Sequence, residues 1–134
     1  MDDITFVDAR PTIEVGDLTA ALAFWVDVVG LPTEVVMGEP PMFAIVAAGG
    51  ARLGVSRSDD PFVPAICPVF VTVSDLDALV ARFVAAGIEL DQPPTRRPWG
   101  IRDLVVRCPG GGPLVAFGEM LSSDQGAPDE GAPA

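Results

Sequence analysis

The chain has 134 residues, 49% of them hydrophobic, and its 19 acidic and 8 basic side chains give a net charge of −11. This length suits one domain with a sizeable core, and the negative charge repels nucleic-acid phosphates, so we expect no nucleic-acid partner. Because the sequence contains no histidine, Ser-His-Asp catalysis, Cys-His catalysis and imidazole metal ligands are excluded.

The N-terminus and the apolar runs indicate a cytoplasmic protein with no membrane partner. The first residues, MDDITF, are acidic and lack the basic and apolar order of a signal peptide. The run FVPAICPVFVTV contains two prolines and is too short to span a bilayer. Cys67 and Cys108 do not form a C-x-x-C pair, and we expect both to be reduced and structural.

The first half of the chain predicts a strand, a helix and three further strands. The segment ARPTIEV is the first strand, and the helix begins after Asp17, a plausible N-cap, and stops at Gly30. Apolar residues recur in this helix at helical spacing, at Leu18, Leu22, Trp25 and Val29. Trp25 is therefore predicted to lie in the core. The strands TEVVMG, MFAIVAA and ARLGVS follow, and Gly49 and Gly50 form the turn before the last of them.

The second half repeats this order. The strand PVFVTV precedes a helix that begins after the N-cap Asp75 and stops at Gly87. Its apolar stripe is predicted to comprise Leu76, Leu79, Val80, Phe83 and Val84. The strands IEL, DLVVRC and GPLVAF follow, with a glycine turn at 110–112 before the last.

The two halves form tandem βαβββ modules, at about 8–58 and 66–119, in an α+β fold. Each module leaves one face of its sheet uncovered, and two such faces can form a ligand cleft. We expect a single domain over 1–121. Residues 122–134 are acidic and rich in proline, glycine and alanine, so we expect a disordered tail there.

Trp99 lies in the unusual segment RRPWGIRD. Pro98 restricts the backbone before the tryptophan and Gly100 permits a sharp turn after it, which places Trp99 at the end of a strand. An indole at this position either plugs the end of a core or lies open to a flat ligand.

The duplicated modules and the segments PTIEVGDL, FWVDVVGL and PWGIRDLVVRCPGGG resemble the vicinal oxygen chelate superfamily of glyoxalases, extradiol dioxygenases and antibiotic-binding proteins. The likeness is closest to bleomycin resistance proteins, which share the Phe-Trp pair and the Pro-Trp-Gly loop. It implies a cleft-shaped mixed sheet in a homodimer. It also implies that the N-terminal strand, at about 2–9, is swapped to the partner, with Pro11 at the hinge.

Enzymes of this superfamily bind a divalent metal at the starts of two strands and on the last strand of each module. The corresponding positions in this chain hold no metal-ligating side chain: they are Arg10, Gly54, Pro68 and Val115. We therefore expect no metal and no cofactor.

The resemblance implies non-catalytic binding and sequestration of a planar, bleomycin-like antibiotic or natural product, for resistance or as a carrier in its pathway. Aligned through Ala44 and Ser56, Phe43 corresponds to one ring of an aromatic clamp, and Trp99 to the other ring, contributed by the second chain. The expected ligand-binding residues are Phe43, Trp99, Glu34, Glu39, Ser56 and Gly100. Asp59 and Asp60 are further acids near that face.

Two departures from the family pattern affect these expectations. Cys108 replaces the aspartate of the family's turn, and a thiol accepts N–H bonds poorly. Arg96 and Arg97 beside Trp99 disfavour a strongly cationic ligand and favour a different planar or acidic one. The alternative functions are a lyase or isomerase with Glu14 or Glu119 as base, or with a metal bound by acids alone, and a dimer without a ligand.

Overall fold

The computed structural model describes residues 4–121. In the first module, β1 (Thr12–Val15) is followed by α1 (Leu18–Leu22), which continues as a π-helix (Ala23–Val29), and then by β2 (Thr33–Met37), β3 (Phe43–Ala48) and β4 (Ala51–Arg57). The second module contains β5 (Val69–Thr72), α2 (Leu76–Ala85), β6 (Gln92–Arg96), β7 (Ile101–Arg107) and β8 (Leu114–Met120). The tail predicted at 122–134 lies outside the described residues.

The strands form two four-stranded mixed sheets with the same topology. Sheet 1 has the order β1-β4-β3-β2 and sheet 2 the order β5-β8-β7-β6. In each sheet the first strand of the module runs parallel to the last, and the other pairs are antiparallel. The predicted α+β fold of two tandem βαβββ modules is confirmed.

Both helices begin at the predicted caps. Asp17 accepts the N–H of Ala20 at 3.1 Å, and Asp75 accepts the N–H of Ala78 at 3.0 Å. The first helix widens into its π-helical part before Gly30, whose φ of 94° ends it. Within residues 4–121, no helix is long and apolar enough to cross a bilayer.

Two details of the predicted elements are wrong. Val84 was expected in the buried stripe of α2 but is exposed. The segment IEL, predicted as a strand, contains no strand residues, and Ile88 and Leu90 pack against the core after the helix. The strand begins instead at Gln92, with two prolines in its interior. Proline is tolerated there because β6 is an edge strand.

One core joins the two modules. Trp25 is fully buried, and its ring centroid lies 6.0 Å from that of Phe117 in the second module. Phe24 stacks on Phe83 of α2 at 5.8 Å. The core position predicted for Trp25 is confirmed. Because both sheets contribute their inner faces to this shared core, their opposite faces point away from it, and we call these the outward faces.

Candidate ligand-binding site

A row of four side chains crosses the outward face of sheet 1. Residues paired across neighbouring strands project to the same side of a sheet. The register pairs Glu14 with Ser56, Ser56 with Phe43, and Phe43 with Met37. The structure therefore brings together Phe43 and Ser56, two of the expected ligand-binding residues. We call these four residues the Phe43 row.

Glu14 is the charged member of the Phe43 row, and the sequence reasoning had not placed it with the ligand. Its neighbours Ile13 and Val15 are buried in the core, so strand alternation turns Glu14 outward. That alternation was the signal in the sequence that could have located it. The Oε1 atom of Glu14 accepts the backbone N–H of Phe62 at 3.2 Å, and the exposed Phe62 therefore lies beside the row.

The acids expected around Phe43 are arranged differently from one another. Glu34 forms an ion pair with Arg52 at 2.6 Å. Arg52 lies on the same strand and the same face as Ser56 of the Phe43 row, four residues away along β4. Glu39 is exposed in the turn between β2 and β3, and Asp59 pairs with Arg57 at 2.6 Å. The charges of Glu34 and Asp59 are thus compensated by arginine.

Trp99 lies at the tip of the β6–β7 hairpin, and its side chain is open to solvent. The N–H of Arg97 donates to the carbonyl of Ile101 at 2.8 Å, and the N–H of Gly100 donates to the carbonyl of Arg97 at 3.2 Å. Gly100 has a φ of 89°, a value that favours glycine. Trp99 is 58% exposed, so the indole does not plug the core.

An ion pair at the base of this hairpin fixes the strands that carry Trp99. The Nε of Arg97 lies 3.0 Å from Oδ1 of Asp103, and the two side chains are only 10% and 12% exposed. Asp103 is the one buried charged residue in the described part of the chain. Arg96 and Arg97 were the two reasons for disfavouring a cationic ligand. Because the Asp103 carboxylate compensates the charge of Arg97, that one no longer applies.

A cavity of about 620 Å³ lies away from the predicted site. It is bounded by Pro11, the Gly49 turn, β5 and α2, and none of the six expected ligand-binding residues lines it. Phe43 lies in sheet 1, and Trp99 lies in the turn between two strands of sheet 2. We place the candidate site at Phe43 on the outward face of sheet 1 and at Trp99 in the β6–β7 turn, the two rings that the family resemblance indicates, and not in this cavity.

Residues 9–114 match the model of the glyoxalase/bleomycin resistance protein/dioxygenase superfamily. The chain belongs to this superfamily. No curated protein matches it in sequence.

Solved structures of this superfamily's fold are similar to the chain over most of their length. TioX from Micromonospora sp. ML1 is 27% identical with a TM-score of 0.70, over 87% of this chain and 100% of TioX. A bleomycin-binding protein from the bleomycin-producing Streptomyces verticillus, complexed with copper(II)-bleomycin, is 27% identical with a TM-score of 0.61, over 90% and 99%. A lactoylglutathione lyase from Agrobacterium tumefaciens is 22% identical with a TM-score of 0.65, over 88% and 96%, and shows the fold alone.

The positions at which superfamily enzymes bind metal hold other side chains. Arg10 lies 3.6 Å from Asp8, and Gly54 lies opposite Thr12. Val115 is buried in the core and faces away from the outward face. Among residues 4–121, no three His, Cys, Asp or Glu side chains converge into a group that could hold a metal ion.

Glu119, a possible base in the enzymatic alternative, has structural partners. Its Oε2 accepts the N–H of Leu76 at 3.2 Å, and its Oε1 lies 3.4 Å from Arg102, which also binds Asp77 at 2.9 Å. The carboxylate therefore fastens the start of α2 to sheet 2.

The two cysteines are free, as expected. Burial raises the pKa of the Cys108 thiol to about 11, although the nearby indole of Trp25 lowers it in part. Burial also raises the pKa of Cys67. The turn after Cys108 is closed by backbone bonds, since its N–H donates to Pro113 at 2.9 Å and its carbonyl accepts from Gly112 at 3.1 Å. The hairpin therefore forms without the family's aspartate.

Proposed function

We propose that the protein binds a planar, bleomycin-like antibiotic or natural product without changing it, and so confers resistance to it or carries it in its pathway. The observation that carries this proposal is the exposed indole of Trp99, 58% accessible at the tip of a hairpin fixed by a mostly buried ion pair. An aromatic face held open on a rigid support suits stacking against a flat ligand.

Phe43 supplies the second ring of the proposed site, and Ser56 beside it supplies a hydroxyl. Sheet 1 carries Phe43 and sheet 2 carries Trp99, and both sheets use their inner faces for the shared core. We therefore assign the ring opposite each Phe43 to the Trp99 of a second copy, so that a homodimer has two equivalent sites. The likeness to a protein complexed with copper(II)-bleomycin supports the choice of ligand class.

Binding is favoured over catalysis by the carboxylates that a lyase or isomerase would use. Glu119 is engaged by Leu76 and Arg102, and Glu14 accepts the N–H of Phe62. No group of acids in the described residues could replace the superfamily's metal ligands. A metal-dependent mechanism thus has no assembled ligand set among these residues, and of the two candidate bases only Glu14 has no ion pair, so proton transfer would depend on Glu14 alone.

The proposal is tested by calorimetric titration of the protein with metal-free bleomycin and with proflavine. Each ligand is then recovered and its mass is measured. We expect saturable binding of at least one probe at one ligand per chain, and recovery of an unchanged mass. If the protein binds neither probe, the proposal is overturned. Conversion of a glutathione hemithioacetal by the same protein would support the lyase alternative.

The proposed dimer also gives a role to the N-terminal arm, residues 4–10. The arm has no regular secondary structure, and its apolar side chains, Ile4, Phe6 and Val7, are exposed, Phe6 to 93%. The strand β5 pairs on one side with β8, and the cavity of about 620 Å³ lies along it. We assign this cavity to the arm of the partner chain, which would add a strand beside β5 and bury these side chains.

Removal of residues 1–9 is expected to convert the dimer to a monomer and to lower its melting temperature, because the arm's apolar contacts and strand pairing are lost. Analytical ultracentrifugation and thermal melting measure both effects. Val84→Ser is the control, since Val84 is an exposed apolar residue on α2 outside the arm. A truncated protein that remains dimeric with an unchanged melting temperature would show that the arm does not hold the dimer.

A further inference from the structure

We propose that Glu14 determines the charge specificity of this site and makes it select planar ligands that carry a positive charge. This inference rests on the proposed function. It assigns a binding role to a carboxylate that the sequence had indicated only as a possible base, and it reverses the expectation that a strongly cationic ligand is disfavoured.

The first support is the position of Glu14 relative to the stacking ring. Glu14, Ser56 and Phe43 are consecutive members of the Phe43 row on three neighbouring strands. Strands lie about 4.8 Å apart, so the backbones of Glu14 and Phe43 are about 10 Å apart. A ligand whose ring rests on Phe43 can therefore extend a cationic group to the carboxylate along the row.

The second support is that the carboxylate is held in place but not neutralised. The N–H of Phe62 binds Oε1 at 3.2 Å and restricts the side chain. Throughout residues 4–121, no arginine forms an ion pair with Glu14. The arginine–carboxylate pairs among these residues involve other acids: Arg10 with Asp8, Arg52 with Glu34, Arg57 with Asp59, Arg97 with Asp103, and Arg102 with Asp77 and Glu119.

The third support is the electrostatic setting on both sides of the proposed ligand. The face of Phe43 attracts a cation through its ring quadrupole. On the opposite side, the charge of Arg97 is compensated by Asp103 at 3.0 Å. The net charge of −11 further attracts cations at long range. Within the Phe43 row, the Glu14 carboxylate is the group that can bind the positive charge directly.

The test compares two acridines with opposite charge on the same ring system. Proflavine is a planar cation at neutral pH, and acridine-9-carboxylate is a planar anion. The wild-type protein is expected to bind proflavine more tightly. Glu14→Gln keeps an acceptor for the N–H of Phe62 but removes the charge, and it should weaken proflavine binding by about threefold to tenfold. Binding of the anion should be unchanged or tighter.

Glu89→Gln is the matched control, because it makes the same chemical change and removes one exposed negative charge from the segment that follows α2. It should change proflavine affinity by less than about twofold if only the long-range field is altered. Circular dichroism and thermal melting check that both variants fold. The ionic-strength dependence of the wild type provides a second measurement, in which proflavine binding should weaken with added salt and binding of the anion should not.

The outcomes separate this inference from the proposed function. If proflavine binds and requires Trp99 but Glu14→Gln binds it as tightly as the wild type, charge selection by Glu14 is wrong and planar binding stands. Equal affinity of the wild type for the two acridines also overturns charge selection. If the wild type binds neither acridine nor metal-free bleomycin, the proposed function itself fails.

Discussion

Trp99→Ala is expected to weaken binding of metal-free bleomycin or proflavine by about tenfold to hundredfold while leaving the melting temperature nearly unchanged. Stacking of a flat ligand on one aromatic ring contributes about 1–3 kcal/mol. The indole is 58% exposed in the unliganded chain, so its removal leaves no buried cavity. Calorimetric titration and thermal melting of the same variant measure the two quantities together.

Trp99→Phe is the matched control, because it keeps a stacking ring on the same turn. The turn should survive both substitutions, since it is closed by backbone bonds from Arg97 and Gly100. Trp99→Phe should therefore retain most of the affinity that Trp99→Ala loses. A large loss of stability with preserved affinity would instead mean that the indole is a structural plug and that the ligand binds elsewhere.

The features that the sequence predicted correctly depend on short-range patterns. The caps Asp17 and Asp75 act on N–H groups three residues away, and Gly30 ends its helix through its own φ of 94°. Trp25 was placed in the core by helical spacing alone. The duplication fixed the order of elements. Each of these signals lies within one helix, one turn or one repeat of the chain.

The errors arose where tertiary contacts override local patterns. Val84 fits the apolar spacing of α2 but is exposed, because the core reaches only the part of the stripe that contains Leu79 and Phe83. The strand predicted at IEL lies instead at β6, whose two prolines are accommodated because it is an edge strand. Neither outcome follows from propensities without the sheet order.

The parts of the candidate site that were missed depend on pairing between distant strands. Glu34 is engaged by Arg52 because β2, β3 and β4 lie side by side, and Arg97 is compensated by Asp103 across a hairpin. The register between β1 and β4 places Glu14 opposite Ser56. Composition shows that acidic residues outnumber basic ones. The strand register is needed to show that Glu14 lies in the Phe43 row, and the ion pairs are needed to show that no arginine of the described residues binds it.

Trp25→Ala is expected to lower the free energy of unfolding by about 3–5 kcal/mol, the usual cost of truncating a buried aromatic side chain. The Trp25 ring has no exposed surface, and its centroid lies 5.1 Å from that of Phe24 and 6.0 Å from that of Phe117. Because these rings come from both modules, the cavity would open in the core that joins them. Typical domains are stable by about 5–15 kcal/mol, so urea unfolding should show a variant close to the limit of folding.

Trp25→Phe separates the packing of the ring from its N–H group. Within residues 4–121 the Trp25 indole N–H makes no hydrogen bond of good geometry; the Cys108 thiol lies near it but is a weak acceptor, so replacing the indole with phenylalanine loses at most that weak contact. We expect this variant to lose much less stability than Trp25→Ala, through the reduced volume alone. A planar ligand stacked on Trp99 should quench the fluorescence of that tryptophan. Trp25→Phe should retain this quenching, because Trp25 lies in the core and away from the outward faces. A Trp25→Phe protein that folds but shows no quenching would contradict the assignment of the ligand to Trp99.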